Sequence, residues 1–201
     1  MRKAVAEEKV RRLARRLGAV RPRDVERLGL DRIHIYRLHE EGRLKRTARG
    51  VYTLPDWDPA EYRTFAEACS RVPNGVVCLL SALRFHGLTT QAPHELWMAI
   101  DRAAWKPTVP DLPIRFVRFS GQAFRAGIGE HMVSGVTVRV YGPAKTVADC
   151  FKYRNKIGLD VALEALRECW RQRMATMDEL WMYARVCRVA NVMRPYMESL
   201  V

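Results

Sequence analysis

With 201 residues and a 48% apolar share, the chain is long enough for a buried core and too apolar to be largely disordered. Its formal charge of +13 points to a polyanionic partner, nucleic acid first and an anionic membrane surface second. A membrane-spanning protein is excluded by the lack of any run of about 18 apolar residues, and the basic start MRKAVAEEKVRRLARR lacks the apolar stretch of a signal peptide. A cytoplasmic, reduced protein without a membrane partner is therefore expected.

The charge is uneven. Up to Pro55 there are 16 basic and seven acidic residues, which leaves about +9 on the first quarter and about +4 on the rest. The five cysteines form no CxxC pair and have no histidine at ligand spacing, so they read as small buried hydrophobes; neither a metal site nor a cofactor is expected.

In chain order, Val10, Leu13 and Leu17 recur at helical spacing with Arg11, Arg12, Arg15 and Arg16 on other faces, and Gly18 closes this first helix. Pro22 suits the first turn of a second helix that would carry Val25 and Leu28 inward and stop at Gly29. Asp31 can cap a third helix running to about Glu41, with Ile35 and Leu38 on its core side. Segments 43–47 and 51–54 read as short strands around Arg49-Gly50. Three helices followed by a hairpin make a winged helix-turn-helix, with Pro55, Asp56, Asp58 and Pro59 marking a linker.

Further on, Tyr62, Phe65, Ala66 and Cys69 repeat with helical period, Asn74-Gly75 makes a turn, and VVCLLSALRFHG reads as one buried helix ended by Gly87. ELWMAI, PIRFVRF, EHMV and VTVRVY read as strands, the last two as a hairpin about Ser134-Gly135. From Pro143 the period is helical again, with Leu159, Leu163, Leu166 and Trp170 on one face and a Thr176–Glu179 capping box before Leu180, Tyr183 and Cys187. The expected fold is α+β. A winged helix-turn-helix over 1–55 precedes a mixed α/β domain over 60–201, with a largely antiparallel sheet and a helical C-terminal end.

If Ile35 and Leu38 face the core, Arg32, Ile33, Tyr36 and Arg37 line the outward face of the third helix. Forked guanidinium contacts to guanine, an apolar contact to a thymine methyl and a Tyr contact to phosphate or base would suit a major groove. Lys45, Arg46 and Arg49 in the wing, with Arg23 on the second helix, would hold phosphates. Lys145, Asp149 and Lys152 invite an enzymatic reading, but their spacing is that of surface ion pairs on one helix. His86, beside Gly87 at a helix end, reads as a partner of the helix terminus, and Asp101 with Arg102 as a sheet-edge pair. No phosphate loop or nucleophile elbow accompanies them, so no enzyme is expected.

The segment RPRDVERLGLDRIHIYRLHEEGRLKRTARGVY resembles the winged helix of the AbiEi antitoxins, transcription-regulating partners in abortive-infection toxin–antitoxin operons. CLLSALRFHGLTTQAPHELWMAI, RFSGQAF, YGPAKTVADCFKYRNKIGLDVALEALRE and RPYMESL resemble that family's C-terminal domain, so the likeness runs from about Val20 onward. It implies that the N-terminal domain represses its own promoter at inverted repeats, with two copies on the DNA. It further implies that the C-terminal domain neutralises a nucleotidyltransferase-like toxin, bound directly or countered functionally. Within that domain the likeness points to Lys145, Asp149, Lys152, Tyr153 and Arg154. Two other readings stay open: a winged-helix-targeted enzyme acting on nucleic acid or on the toxin, and a DNA-binding regulator unrelated to a toxin.

Overall fold

The computed structural model describes residues 2–55, 59–133 and 136–200. The side chains of Arg15 and Arg16, the linker residues Asp56 and Asp58, and the Ser134-Gly135 turn lie outside the described residues. The chain divides into two compact units, Met1–Ala66 with His131–Val136 and Glu67–Glu130 with Thr137–Val201.

In the first unit, α1 (Arg2–Leu17), α2 (Pro22–Glu26) and α3 (Ile33–Glu40) precede the hairpin β1 (Lys45–Ala48) and β2 (Val51–Thr53). Ala6, Val10, Leu13 and Ala14 form the buried stripe of α1, and Val20, Val25, Ile35, Leu38, Leu44, Tyr52 and Leu54 complete the core. Two expected core residues are outside it. Leu17 ends α1 exposed, and Leu28 is exposed because α2 stops at Glu26, so position 28 falls in the turn; Leu30 packs on the core instead.

The turn chemistry is as the sequence suggests. Asp31 Oδ1 accepts the free Ile33 N–H at 2.8 Å. Gly42, at φ +69°, closes α3 in a Schellman arrangement, with Arg43 N–H donating to the Leu38 carbonyl and Gly42 N–H to that of His39. Arg46 pairs with Tyr52 across the hairpin, and Tyr52 in turn exchanges both backbone hydrogen bonds with Val20. Val20 thus ties the wing to the α1–α2 connection.

In the chain beyond, α4 (Pro59–Arg71) is opened by the proline expected in the linker, and the division between the units falls inside it. β3 (Val76–Val77), α5 (Leu79–His86), β4 (Leu96–Asp101), β5 (Ile114–Phe119), α6 (Gln122–Arg125), β6 (Ile128–Val133) and β7 (Val136–Tyr141) follow. Then come α7 (Pro143–Lys152), α8 (Arg154–Ile157), α9 (Leu159–Arg171), α10 (Met177–Val186) and α11 (Ala190–Glu198). The segment expected as one helix therefore begins as a strand: Val76 and Val77 pair with Ala99 and Met98 before α5 starts. Both readings need an apolar run, and periodicity cannot separate them over two residues.

The sheet order is β5-β4-β3-β7-β6. It is mixed rather than largely antiparallel: β3–β4 is antiparallel, whereas β4–β5 and β3–β7 are parallel. Parallel neighbours need a long connection, and residues 102–113 supply it between β4 and β5. β4 is an inner strand, so Asp101 and Arg102 sit at a strand end and not at a sheet edge.

The helix α7 packs against α5, α9, α10 and α11, and every residue from Ala144 to Phe151 is buried. On α9 the inward stripe is Val161, Ala162, Ala165, Leu166 and Cys169, while Leu159 is exposed and Leu163 and Trp170 lie at its margin. The Thr176–Glu179 capping box is formed, with Thr176 Oγ1 accepting from Glu179 N–H and the Glu179 carboxylate accepting from Thr176 N–H. All five cysteines are buried, and none forms a disulfide.

Candidate nucleic-acid interface

The helix α3 buries Ile35 and Leu38 and turns Ile33, Tyr36 and Arg37 outward, with Arg32 exposed at its N-cap. Ile33 is 41% and Tyr36 38% exposed, an apolar pair left in water between two arginines. Tyr36 leans edge-on against buried Tyr52 with ring centroids 6.3 Å apart, and His39 approaches the same ring at 5.6 Å. Tyr52 thus supports the outward face from beneath while its backbone carries the wing. The ring of Tyr36 is both packed and accessible.

The wing repeats the division between support and display. All four residues of β1 are exposed, while β2 buries Tyr52 and Thr53. Lys45, Arg46 and Arg49 all project into solvent, and Gly50, at φ +69°, takes the left-handed position of the two-residue turn.

Ion pairing sorts the basic residues of this unit. Arg11 and Arg12 pair with Glu8, Arg43 with Glu7 and Glu41, and Arg23 and Arg27 lie 3.9 and 3.8 Å from Asp24. Arg32, Arg37, Lys45, Arg46 and Arg49 have no carboxylate within ion-pair distance among the described residues. Among the described residues, the cations of α3 and the wing are thus uncompensated, whereas Arg11 and Arg12 on α1 and Arg23 on α2 have a carboxylate neighbour. Arg21 belongs with the uncompensated set and was not singled out by spacing; its signal is its place immediately before Pro22, where α2 begins.

The residues expected to serve neutralisation sit differently. Lys145 and Asp149 are not a surface pair: their side chains are 0% and 1% exposed, with Nζ 2.6 Å from Oδ2. The i to i+4 spacing is right, but α7 is enclosed by other helices, so the pair lies inside. Lys145 Nζ lies over the Tyr141 and Phe119 rings at 4.1 and 4.9 Å, and Cys187 Sγ donates to Asp149 Oδ1 at 3.2 Å. Burial raises the Asp149 pKa, with the neighbouring Lys145 opposing it. Burial likewise drives the Cys187, Cys150 and Cys78 thiols up and, helped by nearby Asp149, lifts the Tyr141 phenol; these groups stay protonated.

Lys152 is exposed, and Arg154 is half-buried with Nη1 donating to the Phe151 carbonyl at 2.9 Å. Tyr153 packs against Phe119, and burial pushes its pKa up to about 12. His86 is buried and donates Nε2–H to the Tyr141 carbonyl at 2.6 Å, tying α5 to the end of β7 rather than capping its own helix. Among the described residues, no three His, Cys, Asp or Glu side chains could together hold a metal ion, and no helix is long and apolar enough to cross a membrane.

Three helices and a short hairpin, with exposed cations on the third helix and on the hairpin, make the N-terminal module a winged helix-turn-helix. Residues 8–55, which hold that module from α1 through the wing, match the family described as "Transcriptional regulator, AbiEi antitoxin". This is the family that the segment from Arg21 to Tyr52 resembles, and the match ends at residue 55. No curated protein matches the chain.

Proposed function

We propose that the chain is a DNA-binding antitoxin that represses its own operon at inverted repeats and neutralises a nucleotidyltransferase-like toxin through the part of the chain from residue 60 on. The observation that carries the DNA reading is the uncompensated cation set, Arg32 and Arg37 on α3 with Lys45, Arg46 and Arg49 on the wing, around exposed Ile33 and Tyr36. It lies wholly within the segment that matches an antitoxin regulator family. Arg32 and Arg37 would read guanine edges, Ile33 a thymine methyl and Tyr36 a phosphate or base. Arg23 and the wing cations would hold phosphates. One reading helix per chain fits two copies, one helical turn apart on an inverted repeat.

For neutralisation, Lys152, Tyr153 and Arg154 are the accessible members of the segment, and Lys145 with Asp149 would act by holding α7 in place. A chemical role for the last two loses support, since a sealed ion pair meets no substrate.

The test has two arms. The promoter upstream of the operon drives a reporter with the full chain supplied in trans; repression that is relieved by a combined Arg32→Ala, Arg37→Ala variant is the expected result, and a promoter indifferent to the protein would refute the repressor role. Co-expression with the product of the adjacent gene, which this proposal requires to be nucleotidyltransferase-like and toxic on its own, should restore growth; growth arrest that persists with the folded protein present, or a neighbour of another kind, would refute the antitoxin role.

A further inference from the structure

The sheet has a gap that neither DNA reading nor the buried ion pair uses. β3 is only two residues long, and carrying its register with β4 backward from Val76↔Ala99 sets Asn74 across from Asp101, where the pairing has ended. A cleft of about 610 Å³ opens at this place, inside the range typical of small-molecule sites. Its walls include Asn74, Asp101, Trp105, Phe124, Arg71 and Arg139.

Three features of the cleft lack a structural purpose. Trp105 is 92% exposed, so its indole packs on almost nothing in its own chain. The turn that presents it is nevertheless firmly built: Arg118 Nη1 donates to the carbonyls of Arg102 and Ala104 at 2.7 and 2.8 Å, and Asp101 Oδ1 accepts from Ala103 N–H at 2.9 Å. An ordered turn holding a large ring in water is a prepared contact surface. Finally, Arg139 on β7 has its Nε buried without a hydrogen-bond partner and has no carboxylate at ion-pair distance among the described residues. A buried guanidinium N–H without an acceptor is costly, and an anion in the cleft would relieve it.

A ring platform beside an unpaired guanidinium suits a ligand with a flat base and a phosphate. We propose that this cleft binds a nucleotide, either free or as the unpaired end of a strand, with the base stacked on Trp105 and the phosphate held by Arg139. Arg71, already fixed by Glu67 at 2.6 Å and by the Pro110 carbonyl at 3.0 Å, flanks the phosphate. Asn74 and the second oxygen of Asp101 offer hydrogen bonds to the edge of the base. Stacking on an aromatic ring is tolerant of base identity, so discrimination among bases would come from those two side chains. This site is distinct from the α3 and wing surface, and it stands whether or not the toxin reading holds.

The experiment uses the full chain in two titrations: calorimetry with the four nucleoside 5′-monophosphates, with adenosine and inorganic phosphate as controls, and anisotropy with a fluorescein-labelled single-stranded RNA hexamer. Saturation by monophosphates assigns the site to free nucleotides, and saturation by the hexamer alone assigns it to a strand end. In either case Trp105→Ala and, separately, Arg139→Met should weaken binding at least about tenfold, with duplex promoter affinity unchanged. Trp105 is so exposed that its truncation leaves the fold intact, which keeps the test decisive should Arg139→Met fail to fold. Binding insensitive to Trp105→Ala, equal binding of inorganic phosphate alone, or no saturation by any of these probes would overturn the proposal.

Discussion

The α3–wing surface and the helix α7 carry the same kinds of residue and use them in opposite ways. On α3 and the wing, Arg32, Arg37, Lys45, Arg46 and Arg49 are exposed and lack carboxylate partners among the described residues. On α7, Lys145 is enclosed, matched by Asp149 at 2.6 Å and covered by Tyr141 and Phe119. A cation in water with no partner costs the fold little and is available to a phosphate or a base. A cation inside is committed to the fold, because it is tolerable there only while its partner remains. Accessibility and pairing, not residue type, separate a binding surface from a structural core.

The sharpest way to break this contrast is to remove one half of the inner pair. Lys145→Ala leaves the Asp149 carboxylate buried and alone and should cost about 3–5 kcal/mol, read as a lower midpoint in urea unfolding. A change below about 1 kcal/mol would mean that the pair is not sealed. In the first unit, Leu38→Ala should cost about 2–5 kcal/mol by cavity formation and take promoter binding with it. Next in size, Arg37→Ala should lose about 1–3 kcal/mol of discrimination between the promoter site and a shuffled duplex while leaving the thermal midpoint within a degree or two. Arg46→Ala should weaken both duplexes alike and lower the salt slope by about one.

The smallest expected effect is on pH dependence. Asp149 has its pKa raised, chiefly by burial, so between its ordinary value and the raised one the folded chain holds a proton that the unfolded chain has released. Its contribution to stability is complete below the ordinary value and is lost as pH rises through the raised one. The Cys187 thiol and the Tyr141 phenol beside it, both pushed up by burial, stay protonated over that window. Asp149→Asn should therefore be offset from wild type by an amount that changes across the acid range and then levels off, as measured by thermal midpoints. A constant offset would contradict this.

The sequence made the support of the α3–wing surface legible because that information is local. Asp31, Gly42 and Gly50 announce caps and turns, and the spacing of Ile35 and Leu38 decides which way Arg32 and Arg37 point. Long-range packing was not legible in the same way. An i to i+4 Lys–Asp pair has one spacing whether it is washed by solvent or enclosed by α5, α9 and α10, and only the fold tells which. The same limit applies to the sheet: alternation marks β4 and β5 as strands but does not say that they run parallel. Leu17 and Leu28 fit the apolar pattern and are exposed because their helices end beneath them.

Gly127 records a further constraint that no pattern reveals. It takes φ +75°, and a Cβ there would come within 2.8 Å of the Lys145 Cβ and 3.0 Å of the Tyr183 ring. Gly127→Ala should thus destabilise the chain by about 1–3 kcal/mol through overpacking and backbone strain, a loss that urea unfolding would detect.

The claim at the centre of this account is that uncompensated cations on α3 and the wing make the first unit a reader of duplex DNA. Its most direct test is the affinity of the full chain for a labelled fragment of its own promoter, followed against salt beside a shuffled duplex of equal length. If about six phosphates are neutralised, the logarithmic salt slope should lie near about −5, with the promoter bound more tightly at every salt concentration and that preference reduced by Arg37→Ala. A flat salt response, or equal affinity for the two duplexes, would contradict it.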